Sequence, residues 1–487
     1  MKWLSSLFAR KSEPVTSDAA ILLYNTHSGR KDVFSPIRAG IATMYSCGPT
    51  VYSRATIGNL RAYVFADTIA RVLHEAGYRV RRVINITDVG HLTDDADSGE
   101  DKMEKGAREQ GLSAQDIAAR YTKTFLEDIR ALGVDTDDIS FPRATDYIEE
   151  QIEIIKKLEE RGYTYRTADG IYFDTKQFPN YGALDHGGAK LREEAFAEVG
   201  RRIKANADKK HPADFALWKF SPRGARRQQE WTSPWGVGFP GWHVECSAMA
   251  RSLLGQPLDI HTGGIDHIPV HHTNEIAQSE AAYDKPLARF WMHGAFLTIE
   301  DRKISKSAGD DIYLSDIADK GIDPRALRYL FLQAHYRSPL SFSWDALEAA
   351  DAALARLTKA AALIKEEAKD CTKPSEWSRR MHALLRDDLA TPAALALLWE
   401  AVKDEDLGRE EQLGVIEVAD SALGLGLLRT SAVEAIPEHV YALIEEREVA
   451  RTERDFARAD AIRIHIESSG YHVEDGASGP IVTRKRG

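Results

Sequence analysis

The chain has 487 residues, too many for one hydrophobic core, so three or more domains are expected. Its net charge of −11 excludes a wholesale basic coat for nucleic acid and leaves only local basic patches for such a role. Apolar residues make up 43%, no apolar run approaches the ~18 residues that span a bilayer, and three cysteines are too few for a disulfide framework, so a cytoplasmic protein with no membrane association is expected.

Residues 1–19 read as a surface extension, because Trp3, Leu4, Leu7 and Phe8 are interrupted by two serines. Residues 21–24 and 40–45 read as strands. Cys47-Gly48-Pro49 then breaks the apolar run. A Thr56-Ile57-Gly58-Asn59 loop opens a helix carried by Leu60, Val64, Phe65, Ile69, Val72 and Leu73 at helical spacing and ended by Gly77. Residues 78–86 are rich in β-formers. Strand, helix and strand in this order make a βαβ unit, which predicts a Rossmann-like α/β domain with a parallel sheet.

Residues 88–110 are polar and acidic and read as a mobile loop. Helices are expected at 114–132 and 146–161, and a hairpin at 162–174. Residues 133–212 read as a connective insertion between two halves of the catalytic domain, 20–132 and 213–300. Phe215 to Trp218 is expected to restart the parallel sheet. A helix at 241–254 carries Cys246, a strand at 258–260 runs into His261-Thr-Gly-Gly-Ile-Asp266, and 271–283 reads as a helix. A strand at 289–298 leads to a polar loop and linking region, 301–345. From Pro324 the pattern is all-helical, with a bundle at 346–434. A small terminal domain, 435–487, holds helices at 440–456 and 457–469 and a β-like tail.

Three groups of residues carry chemistry. Cys47 and Cys246 follow a strand and open a helix, and His271 and Glu275 stand four apart, on one face of a helix. Loops after parallel strands converge, so these four can form a metal site; His272 is the rival ligand, expected to point about 100° away from His271. The other reading makes both cysteines buried small hydrophobes. Gly58 at a helix start offers backbone N–H groups to a phosphate, unless Thr56 and Asn59 simply cap the helix. Lys303 and Lys306 suit a polyphosphate, or a solvated loop. Gly263 and Gly264 allow a ligand to approach the backbone closely, and Asp266 offers a carboxylate to a cation, or ends a tight turn.

Together these stretches resemble the cysteinyl-tRNA synthetases, class I aminoacyl-tRNA synthetases. The resemblance is carried by Tyr-Ser-Cys-Gly-Pro-Thr-Val-Tyr (45–52), Asn-Ile-Thr-Asp (85–88), Pro-Gly-Trp-His-Val-Glu-Cys-Ser-Ala-Met (240–249), His-Thr-Gly-Gly-Ile-Asp (261–266), His-His-Thr-Asn-Glu-Ile-Ala-Gln-Ser (271–279) and Lys-Ile-Ser-Lys-Ser (303–307). It implies a zinc ion on Cys47, Cys246, His271 and Glu275 that selects the substrate thiolate. It implies ATP, with Mg2+, at Gly58, Gly263, Gly264, Lys303 and Lys306, and catalytic roles for Thr56, Asn59, Lys303 and Lys306. Thr87, Trp242 and Asp266 would bind cysteine, with Asp266 at the ammonium. The implied partners are L-cysteine, ATP and tRNA(Cys), the last read by the region after Pro437, and a monomer is expected. The chain departs from the family pattern at Thr56 and Asn59, where His is usual, and at Val270, Thr273, Ile304 and Asp310. Two rivals remain at this point: a zinc-dependent cysteine ligase acting on a small amine in thiol biosynthesis, and an inactive tRNA-binding paralogue.

Overall fold

The computed structural model describes residues 20–90, 101–184, 208–221, 227–299, 302–303, 311–429, 438–453, 455–469, 471–476 and 479–484. The extension expected at 1–19 and the loop 304–310 lie outside them. The chain divides into two compact units: one runs to Leu314 and resumes over Pro324–Leu427, the other takes Ser315–Asp323 and the residues from Leu428 onward.

The first unit opens with a hairpin of β1 (Leu22–Asn25) and β2 (Arg30–Val33). Strand β3 (Ile41–Ser46) follows, then helix α1 (Ile57–Glu75). Thr56 caps α1, and Leu60, Val64, Ile69 and Leu73 are buried along it. The chain returns as β4 (Arg79–Ile84), parallel to β3, which completes the expected βαβ unit. Helices α2 (Lys102–Gln110) and α3 (Ala114–Ala131) lead to β5 (Ile139–Ser140), parallel to β4. The loop expected at 88–110 therefore contains a helix. Asp101 accepts hydrogen bonds from the Met103 and Glu104 N–H groups, and Gly111, at φ +65°, ends it. Charged residues dominate α2, so caps rather than apolar period define it.

Helix α4 (Ile148–Glu160) precedes β6 (Thr164–Arg166), β7 (Gly170–Phe173), β8 (Phe215–Phe220), β9 (Trp231–Ser233) and β10 (Gly236–Pro240). These strands form a second, antiparallel sheet in the order β6-β7-β8-β10-β9. Phe215 to Trp218 thus does not restart the parallel sheet; it pairs with β7, and Phe215 stacks on Phe173 with centroids 5.0 Å apart. A short apolar run buries equally well in either sheet, so its partner is set by tertiary packing. The boundaries expected at 133 and 212 shift for the same reason: β5 belongs to the parallel sheet, and the antiparallel sheet reaches Pro240.

Helix α5 (Trp242–Leu254), β11 (Leu258–Gly264), a π turn over Ile268–His272, α6 (Thr273–Tyr283) and β12 (Ala288–Gly294) complete the parallel sheet, ordered β12-β11-β3-β4-β5. Succession runs outward on both sides of the β11–β3 pair, so the topological switch point lies between those strands, where open α/β sheets place a ligand crevice. Next come β13 (Leu297–Ile299), β14 (Arg302–Lys303), α7 (Leu314–Asp319), α8 (Pro324–Leu332) and β15 (Leu340–Phe342). The last of these pairs in parallel with β13 and interrupts the region read as helical from Pro324. Helices α9 (Trp344–Glu367), α10 (Glu376–Arg386), α11 (Thr391–Lys403) and α12 (Arg409–Leu423) form the bundle.

The second unit holds α7 from Ser315 onward, α13 (Glu438–Thr452), α14 (Phe456–Ser468) and a hairpin of β16 (Tyr471–Gly476) and β17 (Gly479–Arg484). Val440, Ile444, Ile462, Ile466 and Val473 form its own small core. Among the described residues, no helix is long and apolar enough to cross a membrane.

Candidate active site

A cleft of about 390 Å³ opens at the switch point. Cys47 follows β3, and its N–H donates to the Thr262 carbonyl on β11 at 3.2 Å. The next residue must be glycine. A Cβ at Gly48 would stand 1.5 Å from the Asn85 carbonyl oxygen, and its N–H donates to Asn85 Oδ1 at 2.7 Å. The cleft is lined by Cys47, Thr87, Trp242, Cys246 and His271. Thr56, Gly58 and Asn59 also line it, as do the apolar Phe65, Phe296 and Leu297, and Tyr336.

The structure brings Cys47, Cys246, His271 and Glu275 together, with one ligand atom from each lying within 4.8 Å of all the others. The π turn re-aims the histidine pair just ahead of α6, a feature frequent at functional sites. His271 Nε2 stands 3.0 Å from Glu275 Oε1, and Cys47 Sγ 3.7 Å from the same oxygen. His272 does not turn away as an α-helical spacing predicts. Its Nε2 stands 3.2 Å from Cys47 Sγ, so Cys47, His261, His272 and Glu275 satisfy the same distance test. The wider π turn brings both imidazoles to the cluster.

A shell of imidazoles surrounds these groups, and sequence reasoning missed it. His261 Nε2 lies 3.0 Å from the second oxygen of Glu275, His243 Nδ1 2.9 Å from His271 Nδ1, and His293 Nε2 2.7 Å from His272 Nδ1. The available signal was strand pairing: His261 and His293 sit two register steps apart on adjacent parallel strands and face the same side.

Charge in this pocket is tightly balanced. A hydrogen bond from Cys47 draws the Cys246 thiol down, while burial and then Cys246 push Cys47 well up. Burial alone would raise Glu275, yet His261 and His271 hold it well below the usual carboxylate range. Burial alone would lower His271, but Glu275 and Cys246 lift it to about 10. Burial, with His271 next, pulls His267 down to about 4. Two sulfurs, an imidazole and a carboxylate in a buried pocket are the donor set that a thiophilic divalent cation takes.

The helix start is more committed than the sequence suggests. Thr56 Oγ1 accepts from the Asn59 N–H at 3.4 Å, Asn59 Oδ1 accepts from the Thr56 N–H at 3.0 Å, and the two side chains also bond each other at 3.0 Å. The Ile57 N–H donates to the Ile312 carbonyl at 2.9 Å. Gly58 lines the cleft between these groups. A Cβ at Gly263 would come within 2.6 Å of both His267 and His272, so this glycine is demanded by the imidazole shell itself. Gly264 and the exposed Asp266 line the cleft beside it. Thr87 Oγ1 accepts from Asn85 Nδ2 at 3.0 Å, and Trp242 lies over His271, with centroids 4.4 Å apart. Lys303 pairs through its backbone with Thr298; its side chain and Lys306 lie outside the described residues. Arg61, also missed, donates to the Ala295, Phe296 and Ser338 carbonyls at 3.0, 2.7 and 2.7 Å and ties the cleft wall together. An arginine on the buried face of a helix pattern was its signal.

A switch-point cleft lined by a glycine-containing helix start and by members of this donor cluster points to a class. Residues 33–352 match the family described as tRNA synthetases class I (C) catalytic domain. The fold is shared with the Mycobacterium tuberculosis methionyl-tRNA synthetase in complex with methionyl-adenylate, at TM-score 0.55 and 15% identity, over 81% of this chain and 93% of that one. The chain is 50% identical to cysteine–tRNA ligase 1 of Burkholderia lata, over 94% of this chain and 96% of the relative. It is 42% identical to the cysteine–tRNA ligase of Treponema denticola, over 94% and 98%. The chain belongs to the cysteine–tRNA ligase family.

Proposed function

We propose that the chain joins L-cysteine to tRNA(Cys). The cysteine carboxylate attacks the α-phosphate of ATP, giving cysteinyl-adenylate and pyrophosphate. The terminal ribose hydroxyl of the tRNA then attacks the acyl carbon and releases AMP. The observation that carries the reading is the four-donor cluster, three of whose members line the cleft, in a chain of this family. Cys47, Cys246, His271 and Glu275 would hold zinc, which when bound supplies a Lewis acid that prefers a thiolate to a hydroxyl oxygen. An apolar pocket separates such close analogues weakly, so that preference is where discrimination against serine arises.

The chain's own residues do the rest. Trp242 closes the side of the pocket over His271. Asp266 accepts the substrate ammonium, and Thr87 holds the amino acid. Thr56, Gly58, Asn59, Gly263 and Gly264 position ATP, and Lys303 and Lys306, with Mg2+, hold the departing pyrophosphate. The second unit is the tRNA-reading part. The enzyme works as a cytoplasmic monomer.

Cysteine-dependent ATP–pyrophosphate exchange, tRNA charging and metal content of the purified protein test this together. We expect exchange and charging with about one zinc per chain, and Cys246→Ser to lose metal and discrimination against serine together. Exchange without charging would favour a small-amine ligase. No exchange would favour a tRNA-binding protein without activation chemistry.

A further inference from the structure

Behind the active-site cleft lies a second cavity of about 20 Å³. Arg61, Phe65 and Tyr336 line both, so these three side chains form the partition. Phe65 belongs to α1, the helix that Thr56 and Asn59 begin. Tyr336 sits between α8 and β15. Their rings stack, with centroids 4.3 Å apart and planes 13° from parallel. Stacked rings slide easily unless something polar holds an edge. Tyr336 is held twice. Its carbonyl accepts from the Ala295 N–H at 2.8 Å, and its hydroxyl donates to Asp388 Oδ1 at 2.6 Å.

Asp388 is not in the cleft. It stands in the turn between α10 and α11, fully buried. Its carboxylate takes four donors: the Tyr336 hydroxyl and the Tyr24 N–H (2.9 Å) on one oxygen, and Arg337 Nε and Nη2 (3.0 and 2.8 Å) on the other. Its carbonyl faces His335 Nε2 at 2.8 Å. All of these partners lie outside the bundle helices that flank the turn. The backbone is strained as well. Asp388 and Leu389, neither a glycine, have φ of +55° and +56°. Consecutive left-handed residues persist where surrounding contacts over-determine them, and such strain clusters at functional places. The turn delivers the Asp388 carboxylate to Tyr336 and Arg337, and Leu389 to the lining of the small cavity behind Phe65.

The cleft lining holds a sulfur and imidazole group, Cys47, Cys246 and His271, which the donor cluster draws together, and an aromatic and apolar group, Phe65, Phe296, Leu297 and Tyr336. With cysteine at the first and the phosphates at the α1 start, the flat apolar part of the nucleotide, adenine, meets the second. We infer that Asp388 is a positioning residue for ATP binding: it holds Tyr336 against Phe65 and so fixes the wall on which the base packs, without touching substrate. This rests on the proposed function.

Asp388→Asn keeps the size and removes the charge that binds Arg337; Tyr336→Phe removes only the hydroxyl. In full-length protein, KM for ATP and KM for cysteine are measured separately by exchange. Asp388→Asn should raise KM for ATP about tenfold and leave KM for cysteine within about twofold. Tyr336→Phe should reproduce part of that rise, and the double variant should be no worse than Asp388→Asn alone. KM does not depend on how much of a sample is folded, so mere instability does not mimic this split. Equal rises in both KM values, no rise in either, or an unchanged KM for ATP in Tyr336→Phe would overturn the inference; if Asp388→Asn fails to fold, Tyr336→Phe decides alone. If the parent shows no exchange, the functional reading falls separately, and calorimetric titration with ATP becomes the test: weaker binding by the variant supports the inference, equal binding overturns it.

Discussion

Asp67 is the group whose loss should be felt most widely outside the cleft. It is buried in the middle of α1 and accepts from Arg71 at 2.6 Å, from Arg82 on β4 at 3.0 Å and from Arg328 on α8 at 2.7 Å. Arg328, itself fully buried, also donates to the Leu423 and Leu132 carbonyls, so the cluster joins α1 to the ends of α12 and α3. Burial alone would raise the Asp67 pKa, but the three guanidiniums, Arg328 foremost, hold it at about 2, against an ordinary 3.8. That difference is worth about 2 kcal/mol of folding stability. A depressed carboxylate contributes fully above its unfolded value and loses the contribution as pH falls through its folded value; about half remains at pH 3. Burial pulls Arg328 and Arg82 down even with Asp67 present, so the two sides of the cluster do not gain alike. The carboxylate gives the more direct measure, because it is what keeps those guanidiniums compensated. Asp67→Asn removes that charge and leaves buried cations, for which breaking a pair costs about 3–5 kcal/mol. A loss of about 2–5 kcal/mol at pH 7 is therefore expected, in urea unfolding followed by circular dichroism, and the gap from the parent should narrow by about 1 kcal/mol at pH 3. A loss below about 0.5 kcal/mol, or a gap that widens in acid, would refute the assignment of stability to this cluster.

If Lys306 holds the departing pyrophosphate as proposed, Lys306→Ala should lower the exchange rate about a hundredfold while KM for cysteine stays unchanged; an unchanged rate removes Lys306 from the site. Deleting residues 435–487 should abolish most tRNA charging and spare exchange; equal loss of both would assign those residues to activation instead.

The βαβ unit was legible because period, caps and the Gly77 stop agree over one continuous stretch. Cys47, Cys246, His271 and Glu275 were open to reading as a set because loops after parallel strands converge, whatever their distance in sequence. What the sequence hides is partner choice. Phe215 to Trp218 is a strand in any context, and only its stacking on Phe173 assigns it to the antiparallel sheet. His272 was placed by an α-helical angle that the π turn replaces. Arg61, Asp67 and Asp388 are buried against distant partners: Arg61 reaches the Ala295 carbonyl 234 residues on, Asp67 meets Arg328 261 residues on, and Asp388 meets Tyr336 52 residues back and Tyr24 364 residues back. Periodicity has no term for such contacts.

Thr56 and Asn59 depart from the family's usual histidines, and the structure shows what this chain does with them. A hydroxyl and a carboxamide three residues apart close a reciprocal capping box, a cap of a kind that contributes about 1 kcal/mol to a helix start. An imidazole at the first position closes no such box. On the proposed reading this substitution has a cost at the reacting phosphate, because neither Thr56 nor Asn59 carries a cation. Arg54 lines the same cleft, but Asp128 binds it through two hydrogen bonds, at 2.8 and 3.2 Å, so the pair adds little net charge. Arg61 lines the cleft too and is committed to the Ala295, Phe296 and Ser338 carbonyls, so on the proposed reading the cations beside the phosphates are Lys303, Lys306 and Mg2+. On the proposed reading Lys303 and Lys306 then carry a larger share of transition-state stabilisation than they would beside a histidine, which puts the expected Lys306→Ala loss at about a hundredfold or more.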